Sequence, residues 1–235
     1  MDKTEKLQQK KRMRRLRMHR EGLGVLLGTF VFFLISLLYL YFALDCKVPF
    51  WLWLPCTIVL MGLSINFYRF PNRRFGTSAE GLVVAPTDGA IVVIEEVYEP
   101  EVLKCQCLQV STFMTIFNVH AQWYPADGEV TYIAHHEGRF MSANLPKSSV
   151  ENERSSVVIH TSSGHDVLVR QVAGAVARRI VTYGEVGDLC DVDDPLGFIK
   201  FGSRVDLYLP LGSEVLVKMG EKVTGNQTLI ARLPK

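Results

Sequence analysis

Apolar residues follow two different rhythms along this chain. From Gly22 to Leu44, and again from Val48 to Tyr68, no charged residue occurs. At about 1.5 Å rise per residue, either run wound as a helix crosses roughly 30 Å of hydrocarbon. The first run, LGVLLGTFVFFLISLLYLYFAL, is apolar on every helical face, unlike the core helix of a soluble domain. It is too long for the apolar core of a secretory signal, and no A-x-A site follows it. Asp45-Cys46-Lys47 is a short link, so the second run folds straight back, and Pro49 suits the start of its helix. Pro55 and Asn66 weaken this second span and leave an interfacial or re-entrant path open to it.

From Gly81 onward the period changes. GLVVAP, GAIVVIEEV, VLKCQCLQVSTFMTIF, EVTYIAHH, SVVIHT, HDVLVRQVAG, RRIVTY, FIKFGSRVDLYLP and SEVLVKMG are short, rich in Val and Ile, and separated by Gly, Pro, Asp and Ser. That pattern predicts an all-β domain of many short strands. Asp166 to Arg170 is too apolar for clean alternation and predicts a strand buried on both faces. Asn144 to Arg154 has no pattern and reads as a surface loop. The 235 residues therefore divide into an arm (1–21), a membrane hairpin (22–68, with spans 22–44 and 48–68) and a β-rich body (69–235).

Charge sharpens this division. Nine Lys/Arg lie in residues 1–20, whereas beyond Pro71 there are 15 Lys/Arg against 20 Asp/Glu. A basic arm beside a membrane helix sets topology and meets anionic headgroups, and this reading is preferred over nucleic-acid binding. Arg69, Arg73 and Arg74 follow the second run, so both ends of the hairpin are basic. The positive-inside rule then places both ends, and the body, on the cytoplasmic face of the cell membrane. Five scattered cysteines make neither a disulfide framework nor a metal-ligand pattern, and no metal is expected.

The tail, LPLGSEVLVKMGEKVTGNQTLIARL, resembles the glycine-punctuated hairpins of biotinyl and lipoyl carrier domains, which implies a barrel-sandwich fold. Lys218 stands before Met219-Gly220 rather than in a Met-Lys-Met turn, and is not read as an attachment site. Four further segments carry a second resemblance: Ala85-Pro-Thr-Asp88-Gly89, Phe117-Asn-Val-His120, Asn152-Glu153-Arg154 and Phe201-Gly202-Ser203-Arg-Val. In this order they resemble the phosphatidylserine decarboxylase family, in its short, self-cleaving, pyruvoyl-dependent branch, from about Phe70 to Pro234. At Ala121-Gln122-Trp123 the chain departs from the family's usual continuation to Arg, so no role is carried onto Trp123.

The resemblance implies that the Gly202–Ser203 bond breaks, leaving chains 1–202 and 203–235 held together by the sheet. Ser203 becomes the pyruvoyl cofactor that forms a Schiff base with the substrate amine. A serine hydroxyl needs a base, and His120 is the candidate; Asp88 is the candidate to orient its imidazole and steady its charged form, with Asp127 the second choice. Gly202 lacks a Cβ that would shield its carbonyl. Lys200 and Arg204 flank the site and are candidates for the lipid phosphate. The implied substrate is phosphatidylserine, the product phosphatidylethanolamine, and the bilayer is itself a partner. His135 and His136 alternate across a strand and do not share a site. The acidic loop Asp188, Asp191, Asp193, Asp194 reads as solvated. Open edge strands leave room for a homo-oligomer. The competing reading is a membrane-tethered, non-catalytic barrel-sandwich adaptor or carrier.

Overall fold

The protein is described from a computed structural model, which covers residues 18–76, 78–139, 141, 148–174, 179–199 and 203–235. Two apolar helices lead: α1 (Arg20–Phe42) and α2 (Val48–Phe67), each long enough to span a membrane. α1 starts two residues before the uncharged run, because His19 caps it, its Nδ1 accepting from the Glu21 N–H at 3.3 Å. The helices expose most of their large side chains, among them Phe32, Phe42, Trp51 and Leu52. Trp53 Nε1 donates to Ser36 Oγ at 2.9 Å between them, so the indole polar group is satisfied inside the hairpin. Lys47 donates to the Leu44 carbonyl at 2.6 Å near the end of α1, where cations suit the helix dipole.

The rest of the described chain is mostly β. Fourteen strands follow: β1 (Leu82–Val84), β2 (Gly89–Glu99), β3 (Cys105–Met114), β4 (Ala121–Trp123), β5 (Gly128–His136), β6 (Arg154–Thr161), β7 (Asp166–Ala173), β8 (Ile180–Thr182), β9 (Leu189–Cys190), β10 (Pro195–Ile199), β11 (Ser203–Pro210), β12 (Glu214–Val215), β13 (Lys222–Val223) and β14 (Leu229–Arg232). One curled antiparallel sheet has the order β13-β2-β3-β11-β7-β6-β5-β9; two three-stranded sheets, β1-β14-β12 and β4-β10-β8, lie beside it. The main core gathers Val110, Val169, Val205, Leu207, Leu196 and Ile230, among others, from all three sheets.

Three expectations change. The run FIKFGSRVDLYLP forms two strands in different sheets, β10 and β11, parted at residues 200–202, which lie outside the described ones. Both strands are almost wholly buried, and the polar stretch Lys200 to Arg204 at their junction is too short to separate them by period. The segment Asn144–Arg154 is not a surface loop throughout: Ser148–Glu151 forms a single helical turn, α3, and Asn152 to Arg154 are buried. The strand expected over SEVLVKMG shortens to Glu214–Val215, with a turn following. Asp166 to Arg170, expected to be covered on both faces, is buried from Val167 onward.

The hairpin does not simply lead into the β body; its base packs on it. Phe67, Tyr68 and Phe70 cluster with Val119, Ala121, Trp123 and Phe198. His19 stacks on Phe198 with ring centroids 4.3 Å apart, and Tyr68 stacks on Phe198 as well, at 5.6 Å. Gly22 permits this approach, since a Cβ there would lie 2.4 Å from the Tyr68 ring.

Candidate active site

Ser203 opens β11, the strand between β3 and β7, opposite Met114 on one side and Ala173 on the other. Its residue is 0% exposed, and its Oγ has no hydrogen-bond partner among the described residues. A buried hydroxyl without a partner is costly, by about 1–3 kcal/mol, and such groups call for a functional account. Its neighbours are held firmly. Ala173 receives a 2.7 Å hydrogen bond from Asn152 Nδ2 at its carbonyl and donates its N–H to the Glu153 carbonyl at 2.9 Å. Asn152 also bonds both ways with the Met141 backbone, at 3.0 and 2.8 Å. The Asn-Glu-Arg segment thus anchors the strand end against which Ser203 pairs, and Arg154 adds an ion pair to Glu101.

His120 lies just before β4, beyond the turn that ends β3. It too is 0% exposed. Its Nδ1 lies 3.0 Å from the Asn118 carbonyl oxygen. A carbonyl only accepts, so Nδ1 carries the proton and the neutral ring presents Nε2 as a bare acceptor. Nε2 is buried and has no hydrogen-bond partner among the described residues. Burial pushes the imidazolium pKa down from 6.5 to about 4; Arg69 pushes the same way, against the Asn118 hydrogen bond and the charge of Asp88. Phe67, the last residue of α2, packs tilted against the ring with centroids 4.1 Å apart, and Phe198 stands at 6.4 Å.

The topology brings these pieces to one end of the β body. Ala121, next to His120, pairs with Phe198 on β10, and the chain from β10 leads to Ser203. Met114, opposite Ser203, accepts from Thr87 Oγ1, which neighbours Asp88. Asp88 itself is tied elsewhere. Both its oxygens meet Arg73, the Oδ2 contact at 3.0 Å, and Oδ1 accepts from the Gly225 N–H at 2.8 Å. Among the described residues the imidazole is oriented by the Asn118 carbonyl, while Asp88 acts on His120 through its charge. Asp127, the second choice, accepts from the Val192 N–H at 2.8 Å and caps the acidic loop.

The remaining candidates are accounted for. Arg204 points its guanidinium at Asp206 and Ser149 in a buried cluster, an ion pair of 2.8 Å from Nε. Gly202 and Lys200 lie outside the described residues. In the acidic loop, Asp193 accepts from Phe75 and Asn226, each at 2.9 Å, so it ties elements together. His135 is exposed beside Glu153, and His160 pairs with Asp166 at the surface. Among the described residues no group of three His, Cys, Asp or Glu side chains has the arrangement of a metal site.

Sequence reasoning did not find Arg73, Phe67 or the Asn118 carbonyl. Arg73 was read only as a topology signal, Phe67 as part of an apolar run, and a backbone oxygen has no letter of its own. A second unanticipated feature is a buried polar chain: Gln171 bonds Gln122, and Thr182 bonds Gln171 and Ser155 at 2.7 Å each. It ties β4, β7, β8 and β6 behind the site.

Chemically, the arrangement offers a dry hydroxyl, a neutral imidazole with a free lone pair, and a carboxylate whose charge favours the imidazolium. The family model for phosphatidylserine decarboxylase matches residues 60–231. A phosphatidylserine decarboxylase proenzyme of Bacteroides thetaiotaomicron is 56% identical over 223 residues, covering 95% of this chain and 98% of that relative. The proenzyme of Parabacteroides distasonis is 56% identical over 220 residues, covering 94% and 100%. That of Burkholderia pseudomallei is 44% identical over 187 residues, covering 80% and 82%.

Proposed function

Because this chain belongs to the phosphatidylserine decarboxylase family, we propose that it is a decarboxylase that converts phosphatidylserine to phosphatidylethanolamine after cutting itself between Gly202 and Ser203. The observation that carries this reading is a pair of buried atoms with no hydrogen-bond partner among the described residues, Ser203 Oγ and His120 Nε2, at one end of the β body. A purely structural protein gains nothing from leaving both unpaired.

In self-processing, His120 Nε2 takes the Ser203 hydroxyl proton and Oγ attacks the Gly202 carbonyl carbon. The peptide bond becomes an ester. Removal of the Ser203 α-proton then expels the ester carboxylate as the new end of chain 1–202. Dehydroalanine remains, and water converts it to a pyruvoyl group with release of ammonia. Asp88, through its charge, steadies the imidazolium formed on the way.

Ser203 fits a resident pyruvoyl group: it is enclosed, at a strand end fixed on both sides, where bulk water does not reach the carbonyl. That group supplies an electron sink for the pair left behind when carbon dioxide departs. His120, protonated, delivers a proton to the carbon that lost carbon dioxide; its low pKa makes it a strong acid for that step. The Phe67 ring keeps water from the imidazole face.

The same reading includes a barrel-sandwich body at 69–235, a spanning hairpin at 22–68 and a basic cytoplasmic arm at 1–21, with the body on the cytoplasmic face. A diacyl substrate then reaches the site without leaving the bilayer. A homo-oligomer formed through open sheet edges is compatible with it. Intact-mass analysis of the full chain purified from membranes tests the proposal. Two chains are expected, the smaller starting at position 203 and lighter than the serine-initiated peptide by the mass of ammonia. A single uncut chain in a preparation with decarboxylase activity overturns the processing step; an uncut, inactive chain favours a non-catalytic adaptor.

A further inference from the structure

Between β3 and β4 the chain makes a tight turn at Thr115–Asn118. Asn118 Oδ1 accepts from the Thr115 N–H and hydroxyl, at 2.8 Å each, and the Asn118 N–H donates to the Thr115 carbonyl at 2.9 Å. So the turn is rigid. Its tip carries Ile116, 49% exposed, and Phe117, 64% exposed. Turn tips favour Gly, Asn, Asp and Ser, for conformational and solvation reasons. An isolated exposed apolar residue needs no explanation; two at the tip of a braced turn do.

The location supplies one. The turn is bonded to the end of α2: Asn66 Nδ2 and Arg69 each donate to the Phe117 carbonyl at 3.2 Å. Leu63 and Ile65, on the last turns of α2, are exposed as well. The exposed apolar side chains at the end of α2 and at the turn tip are thus tied together through Asn66 and Arg69, which fix the turn beside the hairpin's end. Arg69 lies at the junction, where a lipid phosphate layer would meet it.

We propose that Ile116 and Phe117 insert into the interfacial layer of the bilayer beside the end of α2, as a lipid contact separate from the two helices. This surface rests on the reading of the hairpin as membrane-embedded, and its catalytic meaning rests on the decarboxylase reading. The occupant is the lipid bilayer because the patch is continuous with the helices that enter it. The carbonyl of Asn118, in the same turn, holds His120 Nδ1. One rigid turn thus touches acyl chains with its tip and holds the proposed base with its last residue, setting His120 at headgroup depth.

The test uses the full chain in vesicles of phosphatidylcholine and phosphatidylglycerol. Cys46, Cys56 and Cys105 are exposed, while Cys107 and Cys190 are buried, so Cys46→Ser, Cys56→Ala and Cys105→Ser give a background for single-site labelling. An environment-sensitive fluorophore is attached to Phe117→Cys, to Ile116→Cys and, as a reference, to Ser162→Cys in the exposed turn between β6 and β7. Expected is several-fold stronger quenching at 116 and 117 than at 162 by lipids spin-labelled high on the acyl chain, with protection from aqueous iodide. Iodide quenching at 116 and 117 equal to that at 162 overturns the proposal. Quenching by neither agent marks a protein contact and overturns it too. Either labelled site decides, should one variant fail to fold. Self-processing is read by mass in the wild-type chain in the same vesicles, because the labelled positions lie in the turn that holds His120: a lipid-buried probe together with an uncut wild-type chain sustains the bilayer contact and defeats the decarboxylase reading instead.

Discussion

Acidification should leave self-cleavage untouched until far below the usual histidine range. On the proposed mechanism neutral His120 accepts the Ser203 proton, and burial holds its pKa at about 4 instead of 6.5. At about pH 5.5 an ordinary imidazole is neutral in roughly one molecule in ten, whereas one titrating near 4 is neutral in nearly all. The base-dependent step therefore differs about tenfold between the two cases at that pH, an easily measured gap. The assay is a pulse of cell-free synthesis into vesicles, followed by a chase at fixed pH, with the uncut chain and its two products resolved by mass. The acid limb of the rate should centre near pH 4. A limb centred near 6.5 would refute the claim that a desolvated imidazole is the base. Phe67→Ala sharpens the test, because the Phe67 ring covers the imidazole at 4.1 Å. Opening that face to water should move the limb upward, toward 6.5. An unmoved limb in a folded Phe67→Ala variant would remove Phe67 from the account.

Three more outcomes follow from the geometry. Asp88→Asn leaves Arg73 without its counter-charge in a mostly buried pair and should destabilise the body by about 2–4 kcal/mol, read by thermal unfolding; the double variant Asp88→Asn with Arg73→Met should recover stability but still cleave slowly, and wild-type cleavage there would reduce Asp88 to a strut. Gly197→Ala puts a Cβ 2.1 Å from the Val181 carbonyl oxygen, so β10 must part from β8; hydrogen exchange at 180–182 should rise and processing should slow, and an unchanged exchange pattern would contradict the packing. Because the fold refuses a proton that the unfolded chain accepts, stability is complete above pH 6.5 and falls as pH drops toward 4, by up to about 3 kcal/mol; the decline in melting temperature over that window should flatten in His120→Gln, and an equal decline in both would point to other groups.

The parts of this structure that could be read in advance are those with a period. Two uncharged runs became α1 and α2, and the Val- and Ile-rich segments became most of the long strands. β4 and β9, at three and two residues, are too short for any alternation to register. The division of Phe198–Pro210 between β10 and β11 falls beside Gly202-Ser203, a dipeptide that suits a turn, but both flanks are buried and carry no alternation that shows where each strand ends. In the candidate site, the proposed residues Ser203, His120 and Asp88 were named from motifs that demand particular side chains. Their supports were not. Arg73 reaches Asp88 across an irregular link for which no spacing rule exists. The imidazole is oriented by a main-chain oxygen, a role that any residue at position 118 could fill by backbone alone. Phe67 covers His120 only because the hairpin docks where it does.

The place of β11 in the middle of the main sheet bears on what a break before it can accomplish. A chain severed there starts its second piece with eight consecutive residues paired to β3 on one side and six paired to β7 on the other. Further along, β13 is laced to β2 and β14 to β1. The short piece cannot peel away without unzipping the sheet along two seams, so covalent continuity becomes dispensable once the fold has closed. The same interlacing makes the order of events one-way: the strand must be built in while the chain is whole, and a separately made 203–235 peptide would meet a partner lacking its central strand. Synthesis as one chain would thus be a folding requirement, and the proposed cut would trade a peptide bond for a new reactive end without loosening the pairing around it.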